Sequence, residues 1–282
     1  MGKKLGQHFL HSTAVLDSIL IAAGPKAGEP VLEIGPGQGA LTERLLETGA
    51  TIRAVELDAN LAEALRKRWG KHEGFQLIEG DVLQLPLTPP ELFGNAAPYA
   101  VVANLPYYLS TPLLFRLASF REGFSRLVLM LQLEVAQRIL ASPAEGKAYG
   151  SLSIVIQHAF AVSLVRRVPP SAFRPPPKVS SAVLRFTPLQ RHLTPEDERR
   201  FFHHVKTLFT RRRKRMFSVL KSMYGAASEE TMARVVPIVS ERRAETLSPE
   251  EHLEVFLLLH PEIKEPASSS AVQQPGGIRP QP

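Results

Sequence analysis

Apolar and polar positions along this chain follow two rhythms. In the first half, short apolar runs recur: Pro30-Val-Leu-Glu-Ile34, Thr51-Ile-Arg-Ala-Val-Glu56, Phe75-Gln-Leu-Ile-Glu-Gly-Asp81 and Tyr99-Ala-Val-Val-Ala103. Runs of this length, bounded by turn residues, predict buried strands. Between them lie stretches with helical spacing. Val15, Leu16, Ile19 and Leu20 predict a helix over 12–23, and further helices are expected over 41–46 and 60–69. A Pro-rich loop is expected over 86–98. A helix over 111–120 opens with Thr111-Pro112, which puts Pro at its first position. A strand over 125–133, a helix over 134–140, a loop over 142–150 and a mixed segment over 151–167 follow. That last segment starts helical and ends as a strand, and His158 within it reads as a core or edge residue. A last strand is expected over 180–186.

The predicted strands end at Gly35, Glu56, Asp81 and Asn104, spaced 21, 25 and 23 residues apart. Regular strand–helix units of this size imply a mostly parallel sheet, with four glycine or polar positions on one rim. After Thr187-Pro188 the pattern becomes helical throughout. Thr194 caps a helix with Pro195 in its first turn, and Phe201, Phe202, Val205, Leu208 and Phe209 share one face. Arg211-Arg-Arg-Lys-Arg215 follows, then Met216, Phe217, Leu220 and Met223 at helical spacing. Ser248-Pro-Glu-Glu251 is a capping box before a helix over 250–259. Residues 263–282 hold nine Pro, Gly or Ser and no apolar pattern, which predicts a disordered tail. The expected organisation is an α/β domain over 1–188, a small all-helical domain over 189–262 and a tail over 263–282.

Charge sharpens the picture. The chain has 282 residues and a net charge of +7. Between Arg166 and Lys221, fifteen Lys or Arg face three acids, a net +12 that leaves −5 elsewhere. Positive charge gathered in one segment is the footprint of a polyanionic partner. With no cysteine, disulfides, thiolate catalysis and Cys-ligated zinc are excluded. No apolar run approaches membrane-spanning length and the first residues lack a signal-peptide core, so a soluble cytoplasmic protein is expected.

The rim supplies the chemistry. Glu33-Ile-Gly-Pro-Gly-Gln-Gly39 joins a strand to a helix, where glycines admit a ligand to the backbone and the helix start offers free N–H groups. Glu56 lies where an acid meets ribose hydroxyls in nucleotide-binding units. Asp81 is suited to accept from an adenine amine. Asn104-Leu-Pro-Tyr-Tyr108 places a polar side chain and two aromatics straight after a buried strand. Pro106 biases Leu105 towards an extended shape, which aims the Asn104 and Leu105 carbonyls the same way. Two acceptors beside an aromatic face suit a planar amine such as adenine. The same five residues also read as a turn with aromatics covering the sheet edge. A nucleophile arrangement, a metal-spaced His/Asp cluster and a phosphate loop are missing. Methyl transfer from S-adenosylmethionine needs none of them: the acceptor must be aligned and its developing charge stabilised. Tyr107 is placed to stack on a base, and Phe173, in the five-proline stretch over 168–179, to close its other face. Phe173 also reads as a plug in a rigid linker.

Four linked motifs carry a family resemblance: Lys3-Lys-Leu-Gly-Gln-His-Phe-Leu10, Glu33 to Gly39, Asn104-Leu-Pro-Tyr-Tyr-Leu-Ser-Thr111 and Phe173-Arg-Pro-Pro-Pro-Lys-Val179. With Phe209-Thr-Arg-Arg-Arg-Lys214 and Arg243-Ala-Glu-Thr-Leu-Ser248, they resemble the ribosomal RNA adenine N6,N6-dimethyltransferases over roughly residues 3–258. The resemblance implies a Rossmann-like class I S-adenosylmethionine-dependent domain with a helical rRNA-recognition domain. It implies donor binding at His8, Leu10, Gly35, Glu56, Asp81 and Asn104, and Asn104, Tyr107 and Phe173 around a flipped adenine, with no metal. The implied substrate is a pair of adjacent adenosines in a hairpin near the 3′ end of 16S rRNA, met in a small-subunit assembly intermediate by a monomeric enzyme. The macrolide-resistance methyltransferases of 23S rRNA share the first three motifs, and a non-catalytic assembly factor would keep the same fold. His8 stands where many relatives carry Asn. Arg215-Met-Phe-Ser departs from the commoner Thr-Leu-Arg-Asn.

Overall fold

The computed structural model describes residues 8–95, 97–106, 108–190, 193–225 and 229–263. The chain enters as a two-residue strand, β1 (Phe9–Leu10), and a helix, α1 (Thr13–Ala23). Val15, Leu16 and Ile19 bury one face of α1, and Gly24 ends it with a positive φ and its N–H on the Leu20 carbonyl. Then β2 (Pro30–Ile34), α2 (Ala40–Glu47), β3 (Thr51–Glu56), α3 (Ala59–Trp69), β4 (Phe75–Glu79), α4 (Pro89–Phe93), β5 (Tyr99–Asn104) and α5 (Ser110–Ser119) alternate. The second stretch holds β6 (Phe124–Gln132), α6 (Leu133–Leu140), α7 (Ser151–Ala159), β7 (Phe160–Val168), β8 (Phe173–Arg174) and β9 (Ser181–Pro188).

Seven strands form one sheet in the order β4-β3-β2-β5-β6-β9-β7. β4, β3, β2, β5 and β6 run parallel, and β9 joins β6 and β7 antiparallel. Both faces are covered, which is why β5 reads as an unbroken apolar run: Tyr99, Val101 and Ala103 enter one apolar cluster, Ala100 and Val102 the other. The chain runs outward from β2 to β3 and β4, then returns to place β5 on the other side of β2. That reversal opens a crevice at the carboxyl ends of β2 and β5.

The helical part comprises α8 (Pro195–Thr210), α9 (Met216–Met223), α10 (Glu229–Val239) and α11 (Pro249–Leu259). Thr194 caps α8 by accepting from the Asp197 N–H, and Ser248 and Glu251 form the expected capping box on α11. Phe201, Phe202, Val205 and Phe256 join the cluster beneath the sheet, whereas Leu208, Met216, Leu220, Val235 and Leu259 form a separate core. The helices are therefore fused to the α/β layer through α8 and α11. Among the described residues no helix is long and apolar enough to cross a membrane.

Four local expectations are corrected. The stretch 86–98 contains α4, whose first two residues are Pro89 and Pro90; Pro is tolerated there because those N–H groups have no helical partner. α5 begins at Ser110, which moves Pro112 to its third position. Residues 168–179 are not wholly irregular, because β8 lies within them and pairs with β1. The 211–215 run is a break between helices rather than helix: Arg215 adopts extended backbone as the N-cap of α9, and adjacent like charges favour such a break. The expected tail lies outside the described residues apart from Ile263.

Candidate active site

The four rim positions come together. β3, β2 and β5 are hydrogen-bonded neighbours, so Glu56, Gly35 and Asn104 stand side by side, with Asp81 beyond β4. They line a cavity of about 570 Å³, within the range of ligand pockets. Gly35, Gly37 and Gly39 all have positive φ. A Cβ on Gly37 would lie 3.4 Å from the Phe9 ring, and one on Gly39 would overlap Trp69. The turn thus needs glycine for conformation and for space.

Glu56 organises this turn. It is 7% exposed. One carboxylate oxygen accepts from the Gly37 N–H at 3.1 Å and the other from the Asp58 N–H at 3.0 Å. Each oxygen keeps a lone pair for a ligand hydroxyl. Asp81 accepts from the Leu83 N–H at 2.9 Å through Oδ1 and faces the same cavity.

Glu33, below the turn, is fully buried and accepts from the Thr42 hydroxyl at 2.7 Å. Burial pushes its carboxyl up to about 8; the Thr42 hydrogen bond offsets part of that, and the Glu56 charge adds to it. The ordinary value is 4.5. Between these values the folded protein keeps a proton that the unfolded chain has released, so stability falls as pH rises through that window. Glu33→Gln is expected to flatten this loss. Melting temperatures of both proteins at pH 5.5 and 8 check it, and parallel changes would refute it.

Asn104 ends β5 opposite Met130 of β6, and the Leu105 N–H donates to the Met130 carbonyl at 3.1 Å. The backbone is thereby fixed by the sheet, while the Asn104 side chain makes no hydrogen bond to another described residue. The Leu105 carbonyl accepts no backbone hydrogen bond among the described residues. Tyr107 lies outside the described residues. Tyr108 lines the cavity while remaining 59% exposed, and burial followed by the Asp81 and Glu56 charges raises its phenol pKa. The sequence marks Tyr108 only as the second of two aromatics; its place at the cavity mouth is a tertiary fact.

The amino-terminal arm closes the cavity. Phe9 pairs with Arg174 and Leu10 with Phe173. His8 Nδ1 lies 2.7 Å from the Pro175 carbonyl, and the His11 N–H donates to the Ala172 carbonyl at 3.0 Å. His8, Leu10 and Phe173 therefore reach the site together, by pairing segments about 160 residues apart. Phe173 is both plug and wall: it is 4% exposed, packs with Leu10 and Val183, and lines the cavity.

The basic segment divides into paired and unpaired cations. Arg199 pairs with Glu196, Arg200 with Asp197 and Glu262, Arg212 with Glu245, and Arg215 with Glu241. Acids from outside the segment thus neutralise part of it. Arg213 and Lys214 are exposed and form no ion pair among the described residues.

Residues 1–260 match the model of a family described as ribosomal RNA adenine dimethylase. A protein of Synechocystis sp. named ribosomal RNA small subunit methyltransferase A is 40% identical over 272 residues, covering 91% of this chain and 95% of the relative. A Geobacter sulfurreducens protein of the same name is 44% identical, covering 88% and 91%. The crystal structure of a dimethyladenosine transferase from Plasmodium falciparum superposes with a TM-score of 0.72 at 27% identity, over 90% of this chain and 97% of that one. The 23S rRNA methyltransferase ErmE shares the fold, with a TM-score of 0.65 at 23% identity, over 89% and 99%.

Proposed function

The chain belongs to the ribosomal RNA adenine dimethylase family, and from that premise we propose that it transfers methyl groups from S-adenosylmethionine to the N6 amines of two adjacent adenosines in a hairpin near the 3′ end of small-subunit rRNA. The observation that carries this reading is the Asn104 side chain, held by the sheet at the cavity and uncommitted to any described residue, beside the glycine turn and two acids. The small-subunit relatives, aligned over most of their length, support the choice of RNA.

The residues present fit the methyl donor. Its cradle is the glycine turn, whose three positive φ angles favour glycine and where a Cβ on Gly39 would overlap Trp69, and Glu56 has acceptor capacity left for ribose hydroxyls. Asp81 is suited to the donor's adenine amine, and His8 and Leu10 cover the pocket from the arm. When bound, the donor supplies a methyl already activated on a sulfonium. The protein's task is the acceptor. An adenine amine is a poor nucleophile because its lone pair is delocalised into the ring. The Asn104 side-chain oxygen and the Leu105 carbonyl accept its two hydrogens, which favours a pyramidal nitrogen and stabilises the positive charge that develops on it. The methylated amine then gives its proton to water, and a second round follows. Phe173 walls the base pocket, with Tyr107 as the stacking partner.

In this reading residues 1–188 bind donor and base, and residues 189–262 recognise rRNA on a small-subunit assembly intermediate. The protein acts as a monomer in the cytoplasm. Tritium transfer from labelled donor to small- and large-subunit particles, followed by mass mapping, tests it. Label on two neighbouring adenosines of the small-subunit hairpin is expected. Label confined to large-subunit RNA, or none despite donor binding, would overturn it.

A further inference from the structure

An ion pair lies out of water where the helices meet the α/β layer. Arg121, just past α5, donates to Glu198 in the first turns of α8, and their side chains are 0% and 1% exposed. The Arg121 Nε also donates to the Leu189 carbonyl at 3.2 Å, on the segment entering the helical part. His158 of α7 brings Nε2 to 3.3 Å from the same Glu198 oxygen, and its ring packs against Phe201 and Phe202. Buried pairs of this kind add little stability over apolar residues of similar size. Their strength is directional: they hold two elements in one register.

A second contact fixes that register. The Lys206 ammonium sits 3.8 Å from the centre of the Phe115 ring. Residue 121 thus meets 198, and 115 meets 206. Six residues back along α5 correspond to eight forward along α8, so the two helices pack antiparallel. Continuing the register carries the end of α8, and the 211–215 run after it, towards the start of α5. That start is tied to the catalytic loop: the Pro106 carbonyl accepts from the Leu109 N–H at 3.0 Å and from the Ser110 hydroxyl at 3.3 Å. From Asn104 to Arg213, the path runs along α5 and α8, roughly 15–20 Å, with α7 packed against both.

We propose that the α5–α8 pair is a strut that sets the distance between the catalytic loop and the exposed cations Arg213 and Lys214, with Arg121, Glu198 and Lys206 as positioning residues for methyl transfer. The inference rests on the rRNA reading above, because only a substrate spanning both parts needs that distance held. A docked RNA whose adenosine arrives misplaced by about an ångström loses rate rather than affinity.

The test uses the full chain carrying Glu198→Gln or, separately, Lys206→Met. Single-turnover transfer to small-subunit particles at saturating donor and RNA is expected to fall about ten-fold or more in Glu198→Gln and by a smaller factor in Lys206→Met. Affinities for donor and RNA are expected to stay within about two-fold in Glu198→Gln, which leaves every cation of the basic segment in place; Lys206→Met removes one exposed cation, so its rate is compared only at saturating RNA. Amide hydrogen exchange in the 105–113 segment, measured without RNA, is expected to accelerate in both variants. If Glu198→Gln does not fold, Lys206→Met decides alone. Unchanged transfer and exchange in a folded variant would overturn the strut, as would a rate loss matched by an equal loss of RNA affinity. Wild-type protein that fails to methylate small-subunit RNA would sink the functional reading instead, while the exchange data would still judge the strut.

Discussion

Asn104→Ala is expected to lower turnover by about 10²- to 10³-fold, the cost of losing one preorganised partner of developing charge, while donor affinity changes by less than about three-fold. The asymmetry follows from geometry. Asn104 pairs with Met130 of β6, and the preceding Ala103 with Ile34 of β2, so its backbone is held in the sheet whatever its side chain. The glycine turn and Glu56 are braced by their own hydrogen bonds. Under the proposed function, truncation therefore removes the acceptor assigned to the target amine and leaves the donor's cradle standing. Calorimetric titration with donor and single-turnover methyl transfer separate the two effects. Comparable losses in both would make Asn104 a donor-binding residue and remove it from the chemical step.

Reversing the exposed cations, Arg213→Glu with Lys214→Glu, is expected to weaken RNA binding about ten-fold or more at low salt and to reduce the salt slope by about two. Counterion release supplies the reason: each cation placed on a phosphate frees an ion from the RNA, and each one lost removes that contribution. Arg212 serves as the internal control. Its guanidinium is engaged by Glu245 at 2.6 Å and by the Gly146 carbonyl at 3.3 Å. Arg212→Glu is expected to lower the melting temperature, an effect the reversals at the two exposed neighbours do not share. Binding measured across a salt series checks the pair, and an unchanged slope would return 211–215 to ordinary solvated surface.

The rim was legible in the sequence chiefly because β2 and β5 are buried on both faces and β3 nearly so, whereas at the edge strand β4, where only Phe75 is buried, the mark is the Gly80-Asp81 turn. A two-sided strand leaves a plain apolar run, and the abrupt change to Gly35, Glu56 or Asn104 marks where it leaves the core. The capping residues Thr194 and Ser248 were legible for a similar reason, since their partners lie three residues away. Contacts across the chain left no such mark. Nothing in Phe9-Leu10 or Phe173-Arg174 says that one strand pairs with the other; residues near the site at either end were tied together only by the family resemblance. The Arg121–Glu198 pair was hidden because a charged residue in a helical stretch ordinarily faces water. α10 has little sequence signature, because Pro237 interrupts its pattern and only Val235 and Val239 are fully buried in it. The break at 211–215 leaves no mark in the sequence because both flanks have helical spacing, while the break at Arg215 depends on how α9 packs against α8 and α10.

A crystal structure of the protein with S-adenosylhomocysteine and an RNA hairpin carrying the two adjacent adenosines tests the centre of this account. The target N6 is expected within hydrogen-bond distance of both the Asn104 side-chain oxygen and the Leu105 carbonyl, with the donor's sulfur on the other side of the nitrogen and its ribose on Glu56. An Asn104 amide turned into the protein, with base and donor meeting elsewhere, would contradict it.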